Sequence, residues 1–196
     1  MNRIHRLYCR SDTWARRLDA ELLPWALKGV EVGGRVLEVG PGPGLTSARI
    51  APRASAYIAA EIDPDLARAA SAAVEDVPHA AVVRADGTRL PLADGCIDVA
   101  LCFTMLHHVP TPALQDELLA DMARVLRPGG VLAGSDSRTS LRFRLFHIGD
   151  TMTIVDPQTF PGRLRAAGLE DVHVDAGRRS LRWRARRPGA GGDLSS

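Results

Sequence analysis

The stretch EVGPGPG, residues 38–44, sets three glycines at alternate positions directly behind a carboxylate and a short apolar run. Glycines at the end of a strand allow a tight turn and let backbone N–H groups come close to a ligand, so this stretch reads as the first strand-to-helix turn of an α/β unit. The dinucleotide fingerprint is G-x-G-x-x-G, whereas the spacing here is G-x-G-x-G, with Glu38 two residues ahead of Gly40. A pyrophosphate is best served by amides and a helix N-terminus with no carboxylate beside them, because two anions in one pocket repel. An acidic residue at this point suits a ligand that carries positive charge.

Outward from this turn, short apolar or alanine-rich runs alternate with longer helical segments, the rhythm of a parallel sheet. Strands are expected at residues 35–39, 56–62, 80–85, 97–103 and 131–135, several of them apolar on both faces, as when helices cover a sheet from two sides. Asp63-Pro64 offers an N-cap and a proline at the first helical position, opening a helix over 65–76. Pro112 opens another over 113–126, whose apolar stripe is Leu114, Leu118, Met122 and Val125, and Pro128-Gly129-Gly130 stops it. Ahead of the first strand, residues 12–27 read as one amphipathic helix with Trp14, Leu18, Leu22 and Trp25 near one face. Residues 139–160 have no clear period; a helix follows over 160–167, then two strands, 172–175 and 181–186, joined through Gly177. The tail 188–196 has the composition of an unfolded segment.

A chain of 196 residues, 45% apolar and 24% charged, buries one substantial core and is short for two domains. The formal charge of +2 implies no global polyanion partner. Lys28 is the sole lysine among 25 basic residues, a pattern of compositional bias. Cys9, Cys96 and Cys102 are odd in number and lack both metal-ligand spacing and a disulfide framework, which points to a reducing compartment and to no metal. The N-terminal dozen residues are charged where a signal peptide needs its apolar core, and no run approaches a membrane span, so a cytoplasmic protein with no membrane partner is expected.

Five stretches, VLEVGPGPG (36–44), AAEIDP (59–64), RADGTRLPLADGCIDVA (84–100), CFTMLHHV (102–109) and LRPGGVL (126–132), together resemble the class I S-adenosylmethionine-dependent methyltransferases over roughly residues 30–135. The resemblance implies an α/β, Rossmann-like doubly wound fold: a mainly parallel seven-stranded sheet with a C-terminal antiparallel hairpin, in three α/β/α layers. It implies one methyltransferase domain over 1–187, comprising a helical cap (1–29), a cofactor-binding core (30–136), and a substrate-side insert with terminal strands (137–187), followed by the tail. The implied cofactor, S-adenosyl-L-methionine, is cationic and free of phosphate, in keeping with Glu38. By the same resemblance Glu61 accepts from the ribose hydroxyls with Ile62 beside it, Asp86 accepts from the adenine amino group, and the Gly87 amide donates to the ring. Phe103 and Thr104 join the set Glu38, Gly40, Gly42 and Gly44, with Cys102 also making backbone contacts. Asp63 reads as a helix cap.

His107 and His108 invite a general-base reading, since an imidazole titrates near neutrality, but relatives with paired histidines use them to close the loop and position the cofactor; no catalytic residue is assigned. Asp136, His147, Asp150 and Asp156 read as caps or solvated groups. Substrate choice is expected in the N-terminal helix, with Tyr8, Trp14 and Trp25, and in residues 140–160, where Phe143, Phe146, Met152 and Ile154 mix with arginines; these suit a small-molecule methyl acceptor. One alternative is an RNA methyltransferase gripping phosphates with the six arginines of 177–188 around Trp183, although Leu181, Trp183 and Ala185 alternate with Arg182, Arg184 and Arg186 as in an edge strand. A noncatalytic protein that binds S-adenosylmethionine is a second, and a nicotinamide-dependent oxidoreductase a third, which the glycine spacing and Glu38 oppose.

Overall fold

A computed structural model describes residues 11–138 and 152–189. Tyr8, Cys9, Phe143, Phe146, His147, Asp150 and the end of the tail lie outside the described residues. Seven strands, β1 (Arg35–Val39), β2 (Ala56–Glu61), β3 (Ala80–Arg84), β4 (Ile97–Phe103), β5 (Leu126–Ser137), β6 (Glu170–Ala176) and β7 (Ser180–Arg186), form one sheet in the order β3-β2-β1-β4-β5-β7-β6. The first five are parallel, and β7 runs antiparallel to both β5 and β6. From β1 the chain winds outward through β2 and β3, then crosses back to place β4 on the other side of β1. The strand order reverses between β1 and β4, the position at which an open α/β sheet parts to form a crevice beyond its C-terminal edge.

Helices cover both faces. One apolar cluster joins Leu37, Ala100 and Leu132 to Leu118, Leu119 and Met122 of α5 (Pro112–Val125) and to Phe160 and Leu164 of α6 (Phe160–Ala166). The other joins Val36, Tyr57 and Leu101 to Leu23 and Ala26 of the N-terminal helices, to Ile50 of α3 (Ser47–Ile50), and to Val74 at the end of α4 (Pro64–Ala73). Strands between two apolar layers must be apolar on both sides, and all of β4 except Asp98 is buried.

Three expectations are revised. The single N-terminal helix is divided into α1 (Asp12–Arg17), a π-helical turn (Leu18–Leu22) and α2 (Leu23–Ala26). Pro24 has no N–H to donate to the preceding turn, and the widened turn ahead of it, where Leu23 N–H reaches Leu18 O, absorbs the mismatch. Strand β5 starts at Leu126, immediately after α5; Leu126 pairs with Ile97 and the register shifts before Val131 pairs with Val99, so the Pro-Gly-Gly segment is a bulge within the strand. Strand β7 is interior, and β6 is the edge. Trp183 of β7 is buried over Gly134, where a Cβ would lie 2.5 Å from the indole Cζ2, so only glycine on β5 admits that ring.

Candidate functional site

The chain leaves β1 through the glycine stretch, and its three glycines meet three different requirements. Gly40 has φ +69° and its N–H still donates to Ala60 O at 2.9 Å; a Cβ there would lie 2.3 Å from Met105 Cγ. Gly42, at φ +59°, faces open space, with nothing within 4 Å of where its Cβ would be. Gly44, at φ +87°, packs on α4, where a Cβ would come within 2.7 Å of Ala70 Cα and Ala73 Cβ. Close ligand approach therefore concerns Gly40 and Gly42, which border the cavity described below, whereas Gly44 serves helix packing.

The strand-end carboxylates divide in the same way. Glu38 is 1% exposed and does not line the cavity. It sits one layer behind, accepting from Ser47 Oγ at 2.8 Å, from Thr46 Oγ1, and from the Tyr57 hydroxyl. Burial pushes its carboxyl above the usual glutamate range, opposed by the three hydroxyls. The charge of Glu61 adds a smaller push in the same direction as burial. At the end of β2, Glu61 Oε2 accepts from Gly42 N–H at 3.0 Å and Oε1 from Asp63 N–H at 3.1 Å, so the carboxylate holds the glycine turn while facing the cavity. Burial raises its pKa as well, with those amide bonds pulling the other way. Asp63 caps α4, accepting from Asp65 and Leu66 N–H at 2.9 and 3.1 Å. Beyond β3, Asp86 Oδ1 accepts from Thr88 N–H and Oγ1, both at 2.9 Å, an Asx turn that presents Gly87. Gly87 fits between Val39 and Leu118, each within 3 Å of where a Cβ would be.

These elements enclose a cavity of about 470 Å³ at the point where the strand order reverses. Gly40 and Gly42, Glu61 and Ile62, Asp86 and Gly87, and Phe103 and Thr104 all line it, as do Trp14 and Leu18 from the N-terminal helices. Ile62, 61% exposed, is a bare apolar side chain on the rim. Trp25, by contrast, lies away from the cavity beneath the Arg182 guanidinium. Three carboxylates, those of Glu61, Asp63 and Asp86, line the cavity, and among the described residues no lysine or arginine does. Thr104 has φ +49°, an uncommon conformation for a β-branched residue, held by its N–H to Ser135 O at 2.7 Å. No motif marks that strain in advance.

The paired histidines part company. His108 lines the cavity. His107 is 1% exposed and is bound to a carboxylate on β5: Asp136 Oδ2 accepts from its backbone N–H at 2.9 Å, and Oδ1 lies 2.5 Å from Nδ1. Its carbonyl accepts from Thr153 N–H at 2.8 Å, while buried Gln115 donates to Leu106 O at 2.8 Å and Thr153 O at 2.9 Å. The loop bearing Met105 and His108 is thus pinned from β5, from α5 and from the segment just ahead of α6. Asp136 is thereby a buried anchor instead of a solvated group, a pairing across 29 residues that no local spacing announces. Asp156 closes the turn ahead of α6, accepting from Gln158 N–H at 3.0 Å. Among the described residues, no group of three or more His, Cys, Asp or Glu side chains is placed to hold a metal ion, and no helix is long and apolar enough to cross a membrane.

A model of the methyltransferase domain matches residues 37–134, from within β1 through most of β5. The chain belongs to the methyltransferase domain family. Among curated members, an uncharacterized methyltransferase of Mycobacterium ulcerans is 42% identical over 107 residues, 54% of this chain and 40% of the relative. Another, from Mycobacterium sp. strain JLS, is 45% identical over 100 residues, 50% and 37% of the two chains. Each match spans about two-fifths of the relative's length. Solved structures of methyltransferases share the whole fold: an S-adenosylmethionine-dependent methyltransferase from Aquifex aeolicus superposes with a TM-score of 0.75 at 18% identity, covering 95% of this chain and 98% of that one. The N-methyltransferase NodS from Bradyrhizobium japonicum, solved with S-adenosyl-L-homocysteine, gives 0.72 at 18% identity, covering 92% and 91%.

Proposed function

We propose that this methyltransferase-family chain binds S-adenosyl-L-methionine in the cavity at the strand-order reversal and transfers its methyl group to a small-molecule acceptor. The observation that carries the reading is the charge of the wall. Three carboxylates and no described lysine or arginine line it, with a fourth buried carboxylate behind, an arrangement suited to a cationic ligand and hostile to a pyrophosphate. The residues present fit the group: Glu61 to hold a pair of vicinal hydroxyls, Asp86 and the Gly87 amide to meet the edge of a base, and the amides and φ of Gly40 and Gly42 to admit the rest. When bound, the sulfonium supplies a methyl group on an excellent leaving group. The chain's own task is then orientation, which in well-aligned systems supplies effective concentrations on the order of 10⁵ M or more. The pinned loop serves that task. His107, buried on Asp136, is a poor general base, and His108 is the histidine placed to meet an acceptor.

A small acceptor is favoured over RNA because the arginines of β7 are engaged at home. Arg182 pairs with Asp175 at 2.7 Å, donates to Trp25 O, and stacks on that indole; Arg184 and Arg186 donate to Gly29 O and Gly129 O, both at 3.2 Å. Arg187 donates to Arg124 O and Leu126 O. Phosphate contacts would have to break these bonds.

Isothermal titration with S-adenosylmethionine, in competition with NAD, followed by methyl-release assays over acceptor panels, tests the proposal. Saturable binding that NAD does not displace, with turnover on a small acceptor, is expected. Displacement by NAD overturns the cavity reading, and tight binding without turnover on any acceptor indicates a binding protein. Steeply salt-dependent RNA binding would restore the RNA alternative.

A further inference from the structure

Residues 86–95 follow β3 without regular structure, yet they carry the two groups placed to read a base: the Asp86 carboxylate and the Gly87 N–H. Among the described residues, Asp86 Oδ2 and Gly87 N–H have no protein partner. An acceptor and a donor side by side match an adenine edge, which offers an amino donor beside a ring acceptor. The second half of the loop is bound to α5. Arg124 Nη1 donates to Leu92 O at 2.9 Å and to Asp94 Oδ1 at 2.6 Å, and Nη2 donates to Leu90 O at 3.1 Å. Asp121, one turn back, holds the Arg124 guanidinium at 2.7 Å and accepts from Leu90 N–H at 2.7 Å. Gly95 N–H returns to Arg124 O at 3.1 Å. Two side chains on one helix therefore bind three backbone groups of this loop, Leu90 N–H, Leu90 O and Leu92 O, and the same helix presses Leu118 on Gly87. A planar guanidinium can gather several acceptors at fixed angles; an ammonium cannot reproduce that fork.

We infer that Arg124 and Asp121 are positioning residues for nucleobase selection: by suspending the second half of this loop from α5, they hold Asp86 and Gly87 where adenine, and not a base of inverted donor and acceptor pattern, is accepted. The inference rests on the adenosyl reading of the cavity. Its consequence is selective, because loss of the clamp loosens base recognition while leaving the Glu61 and glycine-turn contacts in place.

The experiment measures dissociation constants of S-adenosylhomocysteine and S-inosylhomocysteine, whose hypoxanthine offers an oxygen acceptor beside a ring N–H, for the full chain and for Arg124→Lys and Asp121→Asn. A site that hydrogen-bonds a group rejects the analogue that cannot reciprocate. The wild type is expected to prefer the adenosyl compound, and both variants to lose about tenfold or more of that ratio, mostly through weaker adenosyl binding. Equal weakening of both ligands, or an unchanged ratio, overturns the inference alone. Failure of the wild type to bind either ligand overturns the cavity reading and the inference with it. Should a variant not fold, amide hydrogen exchange on the wild type decides: Leu90 and Gly95 are expected to be protected and to gain further protection with S-adenosylhomocysteine, and free exchange of both in the complex refutes the clamp.

Discussion

Glu38 and Asp98 sit on adjacent strands, β1 and β4, near opposite ends of the sheet, and are handled in opposite ways. Asp98, at the N-terminal edge, is neutralised: Arg35 donates to it from Nε and from its backbone N–H at 2.9 and 2.8 Å, and Arg127 approaches from the start of β5. The bond from Arg35 leads the causes that hold its carboxyl far below the usual aspartate range. Glu38, at the C-terminal edge, is more deeply buried and meets only hydroxyls. A fold optimised for stability alone would place the cations at the buried site, where an unpaired charge costs most. Leaving Glu38 without one sets an acidic group behind the glycine turn, where the proposed ligand brings its own positive charge.

The largest effect expected at this end comes from Gly44→Ala. Its new Cβ meets the backbone of α4, which cannot yield, at a positive φ, so a loss of about 3 kcal/mol or more is expected by denaturant unfolding. Gly42→Ala, strained in φ but unobstructed, should cost only about 1–2 kcal/mol; equal costs would mean that helix packing is not what requires Gly44. Next, Glu61→Ala removes the acceptor of Gly42 and Asp63 N–H together with the proposed ribose contacts, and should weaken S-adenosylmethionine binding by about a hundredfold, the scale of one or two charged hydrogen bonds. Unchanged affinity in titration calorimetry would remove Glu61 from the site.

Glu38→Gln sharpens the comparison most directly. It should lower the preference for the sulfonium ligand over its neutral thioether product by about tenfold, roughly 1.4 kcal/mol of charge interaction at the effective dielectric of a protein. Because burial raises the Glu38 pKa in the folded state, the native protein holds that proton more tightly than the unfolded chain. Wild-type stability should therefore fall as pH rises above the ordinary glutamate range, and the Gln variant should show a smaller decline, keeping only the part that comes from Glu61. Asp98→Asn gives the smallest effect and the opposite sign. Its depressed pKa contributes stability that is present above the ordinary aspartate range and lost as pH falls through the folded value, so the variant should be slightly less stable at neutral pH, equal to the wild type in strong acid, and unchanged in ligand affinity. A change in affinity would show that the two ends of the sheet are coupled.

Most of the fold was legible because its signals are local. The glycine triplet, the Asp63-Pro64 and Pro112 helix starts, and strands apolar on both faces each act within a few residues, and together they imply parallel strands between helical layers. The alternation in β7 showed which side chains are buried but not that the strand is interior, because a period of two describes the faces of a sheet and says nothing of its edges. For the site, the family resemblance singled out Glu61, Asp86 and Gly87, and they line one cavity because successive parallel strands present their C-termini along one edge.

What tertiary structure alone decided is which of these groups face the cavity and what holds them there. Glu38 was set behind the wall by Tyr57 on the neighbouring strand; Gly44 was assigned to packing by Ala70 and Ala73; His107 was fixed by Asp136, and the loop after β3 by Arg124. The chain's own pattern determines which residues reach a sheet edge, because strand length and turn chemistry are short-range. Which of them are spent on neighbours and which are left for a ligand depends on partners tens of residues away, and those contacts exist only once the layers have closed.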